Sequence, residues 1–93
     1  MIRSFGDRQT ERIWNGRYTG RLDPRLQRTA LRKPELINAA TSLEDLRVPP
    51  GNRLEQLSGT RAGQFSIRVN AQWRICFRWR EGGAENVELV DYH

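Results

Sequence analysis

Two short runs near the middle of the chain limit its fold more than any other feature. Phe65, Ile67 and Val69 alternate with Gln64, Ser66, Arg68 and Asn70. Trp73, Ile75, Phe77 and Trp79 alternate with Gln72, Arg74, Cys76, Arg78 and Arg80. A period of two, with β-branched and aromatic residues on one side, is the pattern of strands that bury one face. Asn70-Ala71 leaves room only for a tight turn, so the two runs form a hairpin. Glu81 to Glu85 supplies the next turn, and 86–91 alternates again as a final strand. Ahead of the hairpin, Arg53 to Leu57 reads as a further strand and Ser58 to Gly63 as a loop.

The first half of the chain carries helical signals instead. Ile2-Arg3-Ser4-Phe5 reads as a short opening strand that Gly6 ends, and Asp7 to Trp14 as one or two helical turns. Asn15-Gly16 and Thr19-Gly20 are turn signals. Asp23-Pro24 pairs a cap residue with a proline at the first helical position. Leu26, Ala30, Leu31, Leu36, Ile37 and Ala40 make an approximate helical stripe, which Pro34 interrupts. A proline removes a backbone donor and crowds the turn before it. The expectation is a kink, or two abutting helices at 24–33 and 35–40. Thr41-Ser42 before Asp45 is a cap-like pattern for one more short turn. Helices first and an antiparallel meander after them describe an α+β layer fold.

Ninety-three residues make one domain, 1–93, with one small core. Apolar residues are 37% and charged residues 29%, a balance that suits a globular chain rather than a disordered one. The single Cys76 excludes an internal disulfide, and no zinc-ligand spacing is present. No apolar run reaches membrane-spanning length, and Met1 is followed by no secretory apolar region. These points set the expectation of a cytoplasmic protein with no cofactor, no metal and no membrane contact.

The formal net charge is +5, and of the 16 basic residues only Lys33 is lysine. Arginine offers planar, bidentate contact to phosphate and stacks on bases. Alternation puts Arg68, Arg74, Arg78 and Arg80 on the sheet face opposite the apolar side chains. A one-sided antiparallel sheet needs a solvated face in any case. Neighbouring like charges nonetheless repel, and a polyanion would relieve that.

The chain ends Asp91-Tyr92-His93, with the only histidine last. Metal-free RNA cleavage needs a base for the 2′-hydroxyl proton, an acid for the 5′-oxygen and positive charge on the non-bridging oxygens. Histidine, aspartate and tyrosine serve proton transfer, and arginine supplies charge. An aromatic ring stacks on a splayed base.

With these residues in view, the segment from Arg61 to Phe77 resembles the strand pair of HigB-type toxins in the RelE/ParE superfamily, and Val90-Asp91-Tyr92-His93 resembles their C-terminus. Ile2-Arg3-Ser4-Phe5, Ala39-Ala40-Thr41, Leu43, Asp45, Leu46 and Pro49 to Leu54 extend the match over nearly the whole chain. The resemblance implies a compact RelE-like fold and an mRNA interferase that cuts translated mRNA in the ribosomal A site. It implies a HigA-type helix-turn-helix antitoxin as partner, and operator DNA bound indirectly through that antitoxin. By position, Arg74, Asp91, Tyr92 and His93 match the family's catalytic residues. Arg61, Arg68, Arg78 and Arg80 are the candidate RNA-binding arginines. Some relatives carry a histidine and a nearby lysine ahead of the hairpin; here Glu55 and Ser58 hold those positions. A two-histidine mechanism is therefore closed to this chain, and Glu55 is a candidate substitute base. The alternative is a non-nuclease binding protein on the RelE/ParE scaffold, either a gyrase poison or a co-repressor subunit.

Overall fold

The computed structural model describes residues 1–17 and 23–91. The turn expected at Thr19-Gly20 lies outside them. Two helices, α1 (Arg8–Trp14) and α2 (Pro24–Ala39), precede four strands: β1 (Glu55–Gln56), β2 (Phe65–Arg68), β3 (Trp73–Arg80) and β4 (Gly83–Asp91). The strands form one antiparallel sheet in the order β1-β2-β3-β4. Helices packed on an antiparallel sheet are the α+β architecture expected from the patterning. No helix of the described residues is long and apolar enough to cross a membrane.

Each helix opens on an aspartate cap, which the sequence signalled only at Asp23. Asp7 is extended, and its Oδ1 accepts from Thr10 N at 2.7 Å to open α1. Asp23 does the same for Arg25 N at 2.7 Å, with Pro24 in the first turn of α2. A cap of this kind contributes about 1 kcal/mol. Of the two alternatives expected at Pro34, two abutting helices are not found: α2 runs through it as one helix. The Pro34 ring is among the fully buried side chains. Its burial in the core offsets an interior proline's cost of about 3 kcal/mol. At the end of the helical half, Asp45 Oδ2 accepts from Thr41 N (2.9 Å), Thr41 Oγ1 (3.1 Å) and Ser42 N (3.2 Å) and starts a 3₁₀ turn at Leu43–Arg47.

The core lies between the helices and one sheet face. Ile13, Ala30, Ile37 and Leu46 meet Ile67, Ile75, Phe77, Val87 and Leu89. The hairpin register sets Phe65 opposite Phe77 and Ile67 opposite Ile75. β2 and β3 separate after the Arg68–Arg74 pair, so the connection is longer than Asn70-Ala71 alone. Asn70 Oδ1 closes it by accepting from Gln72 N and Trp73 N, both at 2.8 Å. The register of β3 and β4 slips between Cys76 and Arg78, with Asn86 at φ 54. One extra residue on a strand is a bulge, which bends and twists it.

The opening segment is not a named strand. It makes two isolated parallel bridges along the outer edge of β4, Ile2 with Ala84 and Phe5 with Val87. β1 is also shorter than the expected 53–57, because Arg53 adopts a left-handed conformation at φ 45 and re-aims the chain just before it.

Candidate active site

The sheet face turned away from the helices carries the candidate chemistry. Residues opposite one another on neighbouring strands share a face. Glu55 stands opposite Ser66, Ser66 opposite Cys76, and Cys76 opposite Glu88. A carboxylate thus stands at each end of a row that crosses all four strands. The adjacent row sets Arg68 opposite Arg74 and Arg74 opposite Val90.

This face is not the open basic surface that alternation implies. Ser66 and Cys76 are fully buried, and Arg74 is only 8% exposed. Arg74 Nε donates to Ser66 Oγ at 2.8 Å, and its Nη2 donates to Arg53 O at 2.6 Å and Ser66 O at 3.3 Å. Glu55 Oε2 lies 3.8 Å from the same Nη2. A serine between Phe65 and Ile67 leaves a slot in β2, and the guanidinium of β3 fills it. The left-handed turn at Arg53 brings its carbonyl to the site. Arg61 Nη1 meets Glu88 Oε1 at 2.6 Å and Gln64 Oε1 at 3.0 Å. Burial pushes the Cys76 thiol pKa up, with the Arg61, Glu88 and Arg74 charges as smaller influences.

The arrangement fixes a guanidinium by hydrogen bonds to buried or backbone acceptors, with a carboxylate beside it. Preorganised positive charge of this kind suits a developing phosphorane dianion, and the carboxylate suits proton abstraction. The remaining arginines are placed more loosely. Arg68 is half-buried, and its Nε donates to Asn70 O at 3.1 Å. Arg78 and Arg80 are exposed near the other end of β3. A Cβ on Gly63 would meet Arg78 Nη1 at 2.8 Å, so the loop before β2 passes close to that guanidinium. A groove of about 390 Å³ is lined by Glu55, Gln56, Leu57, Ser58, Thr60 and Arg61, beside the Arg74–Glu55 pair. A second groove, about 420 Å³, lies between the start of α2 and the hairpin tip and includes Gln72 and Trp73. Among the described residues no three His, Cys, Asp or Glu side chains form a metal-ligating group.

Asp91 stands opposite Trp73 rather than Arg74. It is exposed, and its Oδ2 accepts from Gln72 Nε2 at 3.1 Å. Alternation therefore separates Asp91 from the Arg74 face. Tyr92 and His93 lie outside the described residues.

Sequence reasoning missed Ser66, the Arg53 carbonyl, Gln72 and Glu88. The small side chain inside an apolar strand was a visible signal for Ser66. Glu88 needed the cross-strand register, which the bulge shifts by one residue.

The chain is similar to known proteins along its length. A family model described as the RelE-like toxin of type II toxin-antitoxin system HigB matches residues 3–93. Toxin HigB-1 of Vibrio cholerae serotype O1 is 43% identical over 90 residues, spanning 96% of this chain and 95% of that protein. Endoribonuclease HigB of Proteus vulgaris is 37% identical over 59 residues, 63% of each chain. The solved YoeB-YefM complex from Staphylococcus aureus contains a chain that superposes with a TM-score of 0.64 at 13% identity, covering 100% of this chain and 98% of that one. That last likeness is one of fold.

Proposed function

The chain belongs to the HigB-like family of RelE-like toxins of type II toxin–antitoxin systems, and on that premise we propose that it is an endoribonuclease that cleaves mRNA on the ribosome without a metal ion. The name of the Proteus vulgaris relative, an endoribonuclease, supports the activity. The observation that carries the reading is Arg74, held by Ser66 and the Arg53 carbonyl on the central strand with Glu55 3.8 Å away.

In the proposed reaction a base takes the proton from a ribose 2′-hydroxyl. The 2′-oxygen attacks the adjacent phosphorus, the bond to the 5′-oxygen breaks, and an acid protonates that leaving oxygen. The products are a 2′,3′-cyclic phosphate and a 5′-hydroxyl end. Arg74 stabilises the charge on the non-bridging oxygens. Glu55 or Asp91 is the base and His93 the acid, since an imidazole near neutrality suits proton transfer. Tyr92 stacks on a base beside the scissile bond. Arg61, Arg68, Arg78 and Arg80 bind the RNA backbone. Few acid and base groups serve this small site, so the ribosome positions the substrate, an effect of the kind that lowers barriers by several kcal/mol.

The cognate antitoxin is proposed to be a helix-turn-helix protein of HigA type whose acidic or extended segment opposes the net charge of +5. The toxin reaches operator DNA through it. The test of the function compares one message in two states. Mapped 5′ ends should fall within codons when the message is being translated. Equal cutting of the same naked RNA would refute ribosome dependence.

A further inference from the structure

The outer edge of β4 is satisfied in two different ways. Along its first half the N-terminal segment runs beside it. Met1 O accepts from Ala84 N (2.8 Å), Ser4 O from Val87 N (3.1 Å) and Ser4 Oγ from Asn86 N (2.9 Å), while Gly6 N donates to Val87 O (2.8 Å). The segment then leaves the edge. A Cβ on Gly6 would lie 3.1 Å from both Asn86 O and Glu88 Cβ, so the chain passes tightly over β4 as it turns into α1. The next amide is met by a side chain: Thr10 Oγ1 accepts from Leu89 N at 2.8 Å. Thr10 is 3% exposed, and Leu89 is 9% exposed. Asp7, by accepting from Thr10 N, fixes the helical turn that aims the hydroxyl.

We propose that Thr10 is a positioning residue for the C-terminal end of β4. Its buried hydroxyl holds the Leu89 amide and so fixes the end of β4, where Asp91 stands. Leu89 is two residues before Asp91. On the inner side, β3 holds the same stretch through the Trp73–Asp91 register and the Gln72 to Asp91 hydrogen bond. Thr10 is the matching hold from outside. Displacing a catalytic group by about 1 Å costs on the order of 100-fold in rate.

The proposal rests on the reading that the chain's last three residues take part in cleavage. The experiment measures single-turnover cleavage of ribosome-bound mRNA by the full chain, with kcat and KM separated. Thr10→Val keeps the shape and loses the acceptor; Thr10→Ser keeps the acceptor. Thr10→Val should lower kcat by roughly 10- to 100-fold, with KM and antitoxin binding unchanged, and Thr10→Ser should restore most of the rate. Amide exchange at Leu89 should accelerate in Thr10→Val and not in Thr10→Ser. Ile13→Val, on the same helix but away from that amide, controls for lost stability and should keep the wild-type kcat. If Thr10→Val does not fold, Thr10→Ala takes its place in the same comparison. Wild-type kcat in a folded variant lacking the hydroxyl overturns the proposal, as does an equal loss in Ile13→Val. His93→Gln separates the two ideas. An active His93→Gln refutes the terminal reading and the Thr10 role with it; an inactive His93→Gln beside a fully active Thr10→Val refutes the Thr10 role alone.

Discussion

Changing Ser66 to alanine should loosen Arg74 without unfolding the sheet. The hydroxyl is a buried acceptor, 2.8 Å from Arg74 Nε, while the two contacts of Nη2 to main-chain oxygens do not need it. Hydrogen bonds to charged groups contribute about 1.5–3 kcal/mol. At 8% exposure of Arg74, water replaces the lost partner poorly. The expected destabilisation is therefore about 1.5–3 kcal/mol. For a domain of this size each kcal/mol lowers Tm by about 4–8 °C. A double-mutant cycle in urea isolates the pair: Ser66→Ala, Arg74→Ala and the double variant. The coupling should be about 1.5–3 kcal/mol. The same cycle between Glu55 and Arg74 should give only about 0–1 kcal/mol, because the Glu55 side chain is 53% exposed and 3.8 Å away. A Ser66–Arg74 coupling under about 0.5 kcal/mol, the usual error of additivity, would refute the claim that Ser66 fixes the guanidinium.

Two further outcomes follow from the titrating groups. The Thr41 backbone amide, followed by Ser42 N and the Thr41 hydroxyl, holds the Asp45 pKa below the ordinary carboxylate value. A folded pKa below the unfolded one, about 3.9, means that the stabilisation is present above that value and is lost as pH falls through the folded one. In urea titrations Asp45→Ala should therefore trail the wild type most near neutrality, with the gap closing below about pH 4; a gap that does not change with pH would contradict the cap. Cys76 is fully buried with its pKa raised, so a thiol reagent at about pH 8, near the ordinary thiol pKa, should label it only after denaturation, and rapid labelling of the folded chain would contradict the packing of that face.

Patterning carried the architecture because the strongest signals were local. Alternation through Phe65–Trp79, the Asp23-Pro24 helix start and the cap-like Thr41-Ser42 before Asp45 each state a structure within a few residues. Two abutting helices at Pro34 were the wrong alternative because local propensity yields to burial, which only the assembled core supplies. The face of Arg74 misled for a related reason. Alternation says which side chains share a face, but not what lies over it, and Ser66 with the Arg53 carbonyl turns the central arginine inward. Asp91 shows the limit of proximity in sequence. It adjoins Val90, the cross-strand partner of Arg74, yet alternates to the other face. Arg74 and Glu55 are brought together, whereas Asp91 stands opposite Trp73.

The role of Arg74 in cleavage is tested most directly by single-turnover cutting of mRNA on translating ribosomes, comparing wild type, Arg74→Ala and Arg74→Lys at matched folded fraction. Removing a charge-stabilising donor typically costs about 2.7–4 kcal/mol, or on the order of 100- to 1,000-fold in rate. Arg74→Ala should lose activity on that scale while still binding its antitoxin. Arg74→Lys should remain impaired, because an ammonium cannot reach Ser66 Oγ and the Arg53 carbonyl with the guanidinium's fork. Near-wild-type cleavage by folded Arg74→Ala would contradict the account.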